Sequence, residues 1–249
     1  MSLLRLTDIS RVFGKLVALQ NVEFEMEEGG LYAVIGPNGA GKTTLFNLIS
    51  GLFPPTSGEI WFDGRQINRV DAPGRVALGL VRTFQITEIF HELSVFENVR
   101  IGVEAEARCS AQPWPSRALL RQINARVEEL LATTGLTAQA GRTVSELAHG
   151  DQRVVEVTMA LSRRPRLLLL DEPTAGMGQS ETEHMVKLIR DLHVRQKQSI
   201  LFIEHDMDLV FGVADRITVL NYGKVLATGT PPEVAADPLV QAAYLGEAG

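Results

Sequence analysis

Gly36-Pro37-Asn38-Gly39-Ala40-Gly41-Lys42-Thr43 is the stretch on which the reading of this chain turns. It satisfies the phosphate-loop spacing G-x-x-x-x-G-K-[ST] at every required position. The glycines let the backbone curl until successive N–H groups point inward at a β-phosphate. Lys42 adds a point charge between the β- and γ-phosphates, and the Thr43 hydroxyl is placed to hold Mg²⁺. Thr44 follows in the same turn and is counted with the nucleotide-binding residues. Gly30-Leu31-Tyr32-Ala33-Val34-Ile35 upstream reads as a short buried strand, and 42–50 downstream as a helix closed by Gly51 and followed by Pro54-Pro55. Strand, loop and helix together confirm the motif, because the helix N-terminus also offers its dipole to the phosphates.

At 249 residues and 45% hydrophobic, the chain can bury a large core, and its length fits one domain with a subdomain or two small domains. Its net charge of -6 argues against a nucleic-acid binder, which presents a basic face. No segment approaches the roughly 18 uninterrupted apolar residues of a membrane span. Arg5, Asp8 and Arg11 stand where a signal peptide requires an apolar run. Cys109 is the only cysteine, so disulfide frameworks and cysteine metal sites are excluded and a cytosolic compartment is expected.

Leu4 and Leu6, then Val22, Phe24 and Met26, alternate with polar neighbours as half-buried antiparallel strands do. Ile60-Trp61-Phe62 before Asp63-Gly64 reads as a further strand and turn. From 73 to 147 the pattern is mostly helical, interrupted by a polar, proline-containing stretch at 108–116. Leu120, Ile123, Val127, Leu130 and Leu131 share one face of a helix over 116–134 that Gly135 stops. After Gly150 strands and helices alternate. Residues 167–170 and 200–203 are continuous apolar runs, as parallel strands covered on both faces require. Ser180 with Glu183 reads as a capping box, and 217–220 and 225–228 as a closing hairpin. The architecture implied is a parallel α/β core carrying the phosphate loop, an antiparallel layer from the N-terminus, and an inserted helical subdomain over 86–150 within one domain, 1–249.

Asp171 and Glu172 stand at the C-terminal end of a buried strand, where ligands of open parallel sheets gather. Asp171 suits Mg²⁺ through its water shell, and Glu172 suits the polarisation of an attacking water. His205 ends the next strand, within reach of a γ-phosphate. The neutral amide of Gln85 can bind both Mg²⁺ and water, although its position alone suggests a surface glutamine. Phe13, just before Gly14, reads equally as a core phenylalanine or as a flat face for an adenine ring.

The order and spacing of 36–43, Gln85, 147–152, Asp171-Glu172 and His205 resemble the nucleotide-binding domain of an ABC transporter, over nearly the whole chain. That resemblance implies ATP and Mg²⁺ as cofactors, Phe13 under the adenine, Gln85 as the hinge facing a membrane subunit, and Glu172 as the principal catalytic carboxylate. It implies that two such domains close head-to-tail on two ATP molecules. Leu147-Ala148-His149-Gly150-Asp151 would then be the segment gripping the γ-phosphate held by the opposite protomer. Gly79-Leu80-Val81-Arg82-Thr83-Phe84-Gln85, Ile203-Glu204-His205-Asp206-Met207 and Ala243-Tyr244-Leu245-Gly246-Glu247 are similar to the ATPase subunits of branched-chain amino-acid importers, nearer the G-type than the F-type. The group also serves amides, urea and small aromatic acids.

The implied protein is therefore an ATP-hydrolysing subunit held on the cytoplasmic face of the inner membrane. Its partners would be a second ATPase subunit, two permeases and, indirectly, a periplasmic binding protein, with no nucleic acid. A soluble ATPase acting on nucleic acid or ribosomes would carry two nucleotide domains or a long coiled-coil insertion, which this chain lacks. A degenerate partner of an active ATPase is the other alternative. It is motivated by Ala148 in place of the family's serine, by His149, and by Gly178 where an Asn or Asp is usual. Glu172 and His205 argue against it. A membrane-subunit helix is expected to dock around 85–97, where Ile86, Ile89, Phe90 and Leu93 are apolar among polar neighbours.

Overall fold

Three five-residue strands, β3 (Leu31–Ile35), β7 (Leu167–Asp171) and β8 (Ser199–Ile203), are buried at every position. Uninterrupted apolar sequences of this kind fit only the middle of a parallel sheet covered on both faces. The computed structural model, which describes residues 2–83, 89–107 and 116–245, places them there. Together with β6 (Leu80–Arg82), β9 (Arg216–Asn221) and β10 (Lys224–Gly229) they form a six-stranded sheet in the order β10-β9-β3-β8-β7-β6. All its pairings are parallel except the β9–β10 hairpin.

The alternating N-terminal sequences form two twelve-residue strands, β1 (Ser2–Phe13) and β2 (Leu16–Glu27). With β4 (Ser57–Phe62) and β5 (Arg65–Gln66) they make a separate antiparallel sheet, order β2-β1-β4-β5. Helix α1 (Lys42–Ser50) lies between the two sheets. Its Leu45, Phe46, Leu48 and Ile49 join Leu6, Val22 and Phe62 on one side and Val34, Leu169 and Leu201 on the other in a single core. The opposite face of the parallel sheet is covered by α3 (Val95–Glu106), α4 (Arg117–Thr134), α5 (His149–Ser162) and α6 (Gln179–Gln196), whose apolar faces pack on Ala33, Leu170 and Phe202. Short helices complete the chain: α2 (Ala72–Ala77), α7 (Met207–Val213), α8 (Pro231–Ala236) and α9 (Pro238–Leu245). Among the described residues no helix is long and apolar enough to cross a membrane.

Local chemistry sets the ends of these elements. Gly51 caps α1 in the left-handed conformation (φ 81°), as expected of a glycine there. Directly beyond it the guanidinium of buried Arg75 donates to the carbonyls of Leu48 (2.5 Å) and Ile49 (2.8 Å), and to those of Ile67 and Val70. A cation at a helix C-terminus is favourable. Burial lowers its pKa to about 10, so it stays charged at neutral pH. Helix α4 starts at Ser116, whose hydroxyl accepts from Leu119 N–H (3.2 Å), and ends at Gly135 as expected.

Two expectations need correction. The segment 73–147 is less helical than its composition implies: Leu80–Arg82 is an edge strand because it finds Leu167, Leu168 and Leu169 as parallel partners. The helix after β7 opens at Gly178, two residues before Ser180, because Glu181 takes the third helical position and accepts the Gly178 N–H (3.0 Å). Ser180 is then inside the first turn, and Glu183 accepts from Gln179 (3.2 Å) instead.

Glu97, Glu181 and Glu233 each stand third in a helix, at α3, α6 and α8, and each accepts the N–H of its helix cap, Ser94, Gly178 or Thr230. Hydrogen bonds from the cap, the Ser94 hydroxyl first at Glu97 and the cap N–H first at Glu181 and Glu233, hold all three carboxyls below their ordinary pKa. A carboxyl with a depressed folded-state pKa contributes stability that is present above its unfolded pKa and is lost as pH falls through the folded one. Thermal stability should therefore fall as pH drops below about 4.5. Replacing all three by Gln should flatten that acid limb; melting curves from pH 7 to pH 3 showing an unchanged slope would exclude these caps as its source.

Candidate active site

The phosphate loop is held from behind by backbone that approaches too closely for any side chain. A Cβ on Gly36 (φ 150°) would lie 2.1 Å from the Leu220 carbonyl oxygen, and one on Gly41 (φ 105°) 2.8 Å from that of Ala18. The β9–β10 turn completes the support: Gly223 N–H donates to Ala40 O (3.0 Å), and Gln20 N–H donates to Gly223 O (2.8 Å). The loop is thus fixed to both sheets before α1 begins. Lys42 folds its ammonium back over the loop, onto the carbonyls of Gly36 (2.6 Å) and Pro37 (2.9 Å).

A cavity of about 430 Å³ opens over this loop. Asn38, Gly39, Ala40, Gly41, Lys42, Thr43 and Thr44 form its floor, and Glu172 and His205 close one side. The strand ends of β7 and β8 supply these last two, and their side chains meet: His205 Nε2 lies 2.8 Å from Glu172 Oε1. Against an ionised carboxylate the imidazole nitrogen is the donor. Glu172 takes the left-handed backbone conformation (φ 48°).

The remaining sequence candidates lie elsewhere. Asp171, buried, faces Arg82 at 2.5 Å rather than the cavity, and Arg82 also donates to Asn47 Oδ1 (2.6 Å). Pro37 lines a neighbouring cavity of about 560 Å³, with Tyr222 and Leu239. Phe13 is 40% exposed and so is no core residue. Its ring meets Phe53 edge-on at 5.4 Å, beneath the Arg11 guanidinium at 4.4 Å. Ala148, His149 and Gly150 open α5 and line none of the main cavity; His149 packs beside Gly176. Gln85 lies outside the described residues.

Several neighbours escaped the sequence reading. Leu16, Val17, Ala18 and Tyr222 wall the cavity, and only the turn sequence around Gly223 hinted at any of them. No role was read for Arg82, quoted only within 79–85, or for Glu181. Glu181 Oε1 accepts the Gly150 N–H (2.9 Å) while Oε2 accepts that of Gly178 (3.0 Å), and these bonds lower its pKa.

A glycine loop sewn between two sheets, with a carboxylate and a histidine from adjacent strand ends beside it, is an arrangement for nucleotide phosphates. The family model for ABC transporters matches residues 19–175, more than half the chain. This chain belongs to the ABC transporter family. A second model, for branched-chain amino acid ATP-binding cassette transporters, matches 224–249. The high-affinity branched-chain amino acid transport ATP-binding protein LivG of Salmonella typhimurium is 39% identical over 99% of this chain and 98% of its own. The corresponding protein BraF of Pseudomonas aeruginosa is 38% identical over the same shares. A crystal structure of the ADP conformation of an ABC transporter's ATP-binding cassette superimposes with a TM-score of 0.87 at 28% identity, covering 99% of each chain. The expected fold, with its antiparallel layer and helical portion, is the fold observed. The cassette binds ATP and is an ATPase of the kind coupled to transport.

Proposed function

We propose that this cassette is the ATP-hydrolysing subunit of an importer for branched-chain amino acids, or for a chemically close amide, urea or aromatic acid. Support comes from the end-to-end similarity to LivG, with the C-terminal match over 224–249. In this reading 36–44 hold the triphosphate, with Lys42 as the point charge, and the exposed ring of Phe13 carries the adenine. Glu172 polarises the attacking water, and His205 holds both Glu172 and the γ-phosphate.

The donor set suits Mg²⁺. Among the described residues no group of three or more His, Cys, Asp or Glu forms a metal cage, and Mg²⁺ needs none, since it binds through few protein oxygens plus nucleotide phosphates. Thr43 on the cavity floor and Gln85 would hold it; Asp171, expected to reach the ion through water, is instead turned onto Arg82 and away from the cavity. Held there, the ion would supply positive charge against the charge developing on the transferred phosphoryl group. Glu172→Gln should abolish turnover while ATP binding survives, checked by steady-state hydrolysis beside nucleotide binding; continued turnover would refute the role given to Glu172.

A second cassette, identical or paired, is proposed to close over this one, with Ala148, His149 and Gly150 meeting the partner's γ-phosphate. A serine hydroxyl donating to that charge would contribute on the order of 1.5–3 kcal/mol, about ten- to a hundred-fold in closure. Ala148→Ser in a Glu172→Gln background should tighten the ATP-bound dimer, read by size exclusion with MgATP. Unchanged or weaker dimerisation would mean that the backbone at Gly150 already suffices.

The cassette would sit on the cytoplasmic face of the inner membrane through two permease subunits served by a periplasmic binding protein. The expected docking surface is narrower than its sequence suggested. Ile89 is buried in the core (6% exposed), and Ile86 lies outside the described residues. Phe90 remains 50% exposed, its backbone pinned on both sides by buried Asn98 (2.7 and 3.0 Å). An exposed aromatic on a fixed backbone is a suitable anchor for a membrane-subunit helix. Phe90→Asp should cost complex assembly and transport, with ATP binding by the isolated subunit intact; normal assembly in a pull-down would move the surface elsewhere.

A further inference from the structure

Strand β8 ends at Ile203, and the residue between it and His205 is Glu204, a carboxylate only 4% exposed. Three donors satisfy it. Oε1 accepts from the Thr174 N–H (2.9 Å) and from the Thr174 hydroxyl (2.5 Å), and Oε2 accepts from the His205 N–H (3.1 Å). Thr174 stands two residues after Glu172. One buried side chain therefore holds the backbone of both loops whose other side chains meet as Glu172 and His205.

The loop on the Glu172 side has reason to need holding. Glu172 itself is left-handed (φ 48°), a conformation unfavourable for a residue with a Cβ. Such a residue persists only where its surroundings over-determine it. Here Glu172 N–H donates to Ile203 O (3.0 Å), Ala175 N–H donates to Glu172 O (3.1 Å), and Glu204 fixes Thr174 beyond. Hydrogen bonds to an ionised carboxylate are the strong kind, and buried ones are not exchanged for water.

We propose that Glu204 is a positioning residue that sets Glu172 and His205 in register with one another across the β7–β8 strand ends. The inference rests on the reading of Glu172 and His205 as the working groups of the site. Glu204 acts through the Thr174 and His205 backbone N–H groups and the Thr174 hydroxyl, none of which belongs to the phosphate loop. Its loss therefore shows in turnover and not in nucleotide binding, because a displacement of about 1 Å at reacting groups costs on the order of 100-fold in rate.

Three variants of the full-length chain test this by MgATP hydrolysis, nucleotide binding and thermal melting. Glu204→Gln keeps an acceptor for Thr174 but turns an amide N–H₂ against the His205 N–H. It should lower kcat by about 100-fold with KM for ATP and nucleotide affinity unchanged. Thr174→Val removes the hydroxyl bond alone and should lower kcat by about ten-fold, while Thr174→Ser restores the wild-type rate. A kcat for Glu204→Gln within about two-fold of wild type would overturn the proposal. So would a KM that rises together with a falling melting temperature, or a Thr174→Ser variant as slow as Thr174→Val. Glu172→Gln measured alongside separates the two levels. If it is inactive while Glu204→Gln is normal, only the positioning role fails; if it turns over, the site reading fails and carries the inference with it.

Discussion

The β9–β10 turn touches the phosphate loop and the N-terminal sheet through the same residue, and the geometry of the site depends on that contact. Gly223 donates its N–H to Ala40 and accepts from Gln20, so a single residue connects the loop, the turn and β2. Its own Cβ position would lie 2.7 Å from the Ala18 carbonyl, and that of Gly36 still closer to Leu220. Backbone packed against backbone leaves no slack. The loop keeps its curvature because three elements distant in sequence enclose it, with its own glycine content permitting the shape. The walls of the cavity follow: Leu16, Val17 and Ala18 arrive on the strand that Gly223 fixes, and Tyr222 projects from the same turn.

What sequence made readable was for the most part decided locally. Strand, glycine loop and helix over 30–51 follow from apolar continuity, a fixed spacing and a terminal glycine, all within one contiguous stretch. The apolar runs at 167–170 and 200–203 announced parallel strands by the same logic, and with them the placing of Glu172 and His205 at strand ends. Illegible were the pairings that depend on strand order. Arg82 meets Asp171 across 89 residues and Glu204 meets Thr174 across 30, because β6, β7 and β8 are neighbours in the sheet. Nothing in the sequence near either carboxylate indicates its partner. Phe13 was undecidable for another reason: its exposure depends on what covers the β1–β2 hairpin tip, and Phe53 and Arg11 do so in part.

The charges of the site are divided between structure and chemistry by their surroundings. Asp171 and Arg82 are both nearly sealed from solvent, and Arg82 also bonds Asn47 and Ser50 of α1. Burying an ion pair is costly, and removing either partner leaves a charge without compensation. Asp171 is thereby tied to the helix that carries Lys42 and Thr43, and β7 to α1. Glu172, one residue on, is turned the other way by its left-handed backbone and reaches the cavity and His205. Two adjacent carboxylates, the last of β7 and the residue after it, thus face different environments.

The departure at Ala148 can be weighed on the same physical terms. Alanine at a helix N-cap forgoes a side-chain bond to the first turn, at a cost of about 1 kcal/mol against serine. At α5 no such bond from Ala148 exists. The orphan N–H of Gly150 instead finds an acceptor on another helix, Glu181, whose second oxygen serves the same purpose for Gly178 at the start of α6. One carboxylate therefore caps two helix N-termini, where both dipoles favour negative charge. His149 adds a further attraction, and the three influences together lower the Glu181 pKa. The arrangement requires glycine at 150, because a Cβ there would lie 2.8 Å from the Cβ of Glu181. The cap that Ala148 does not supply thus comes from a residue 33 positions away, reached because α5 and α6 begin side by side.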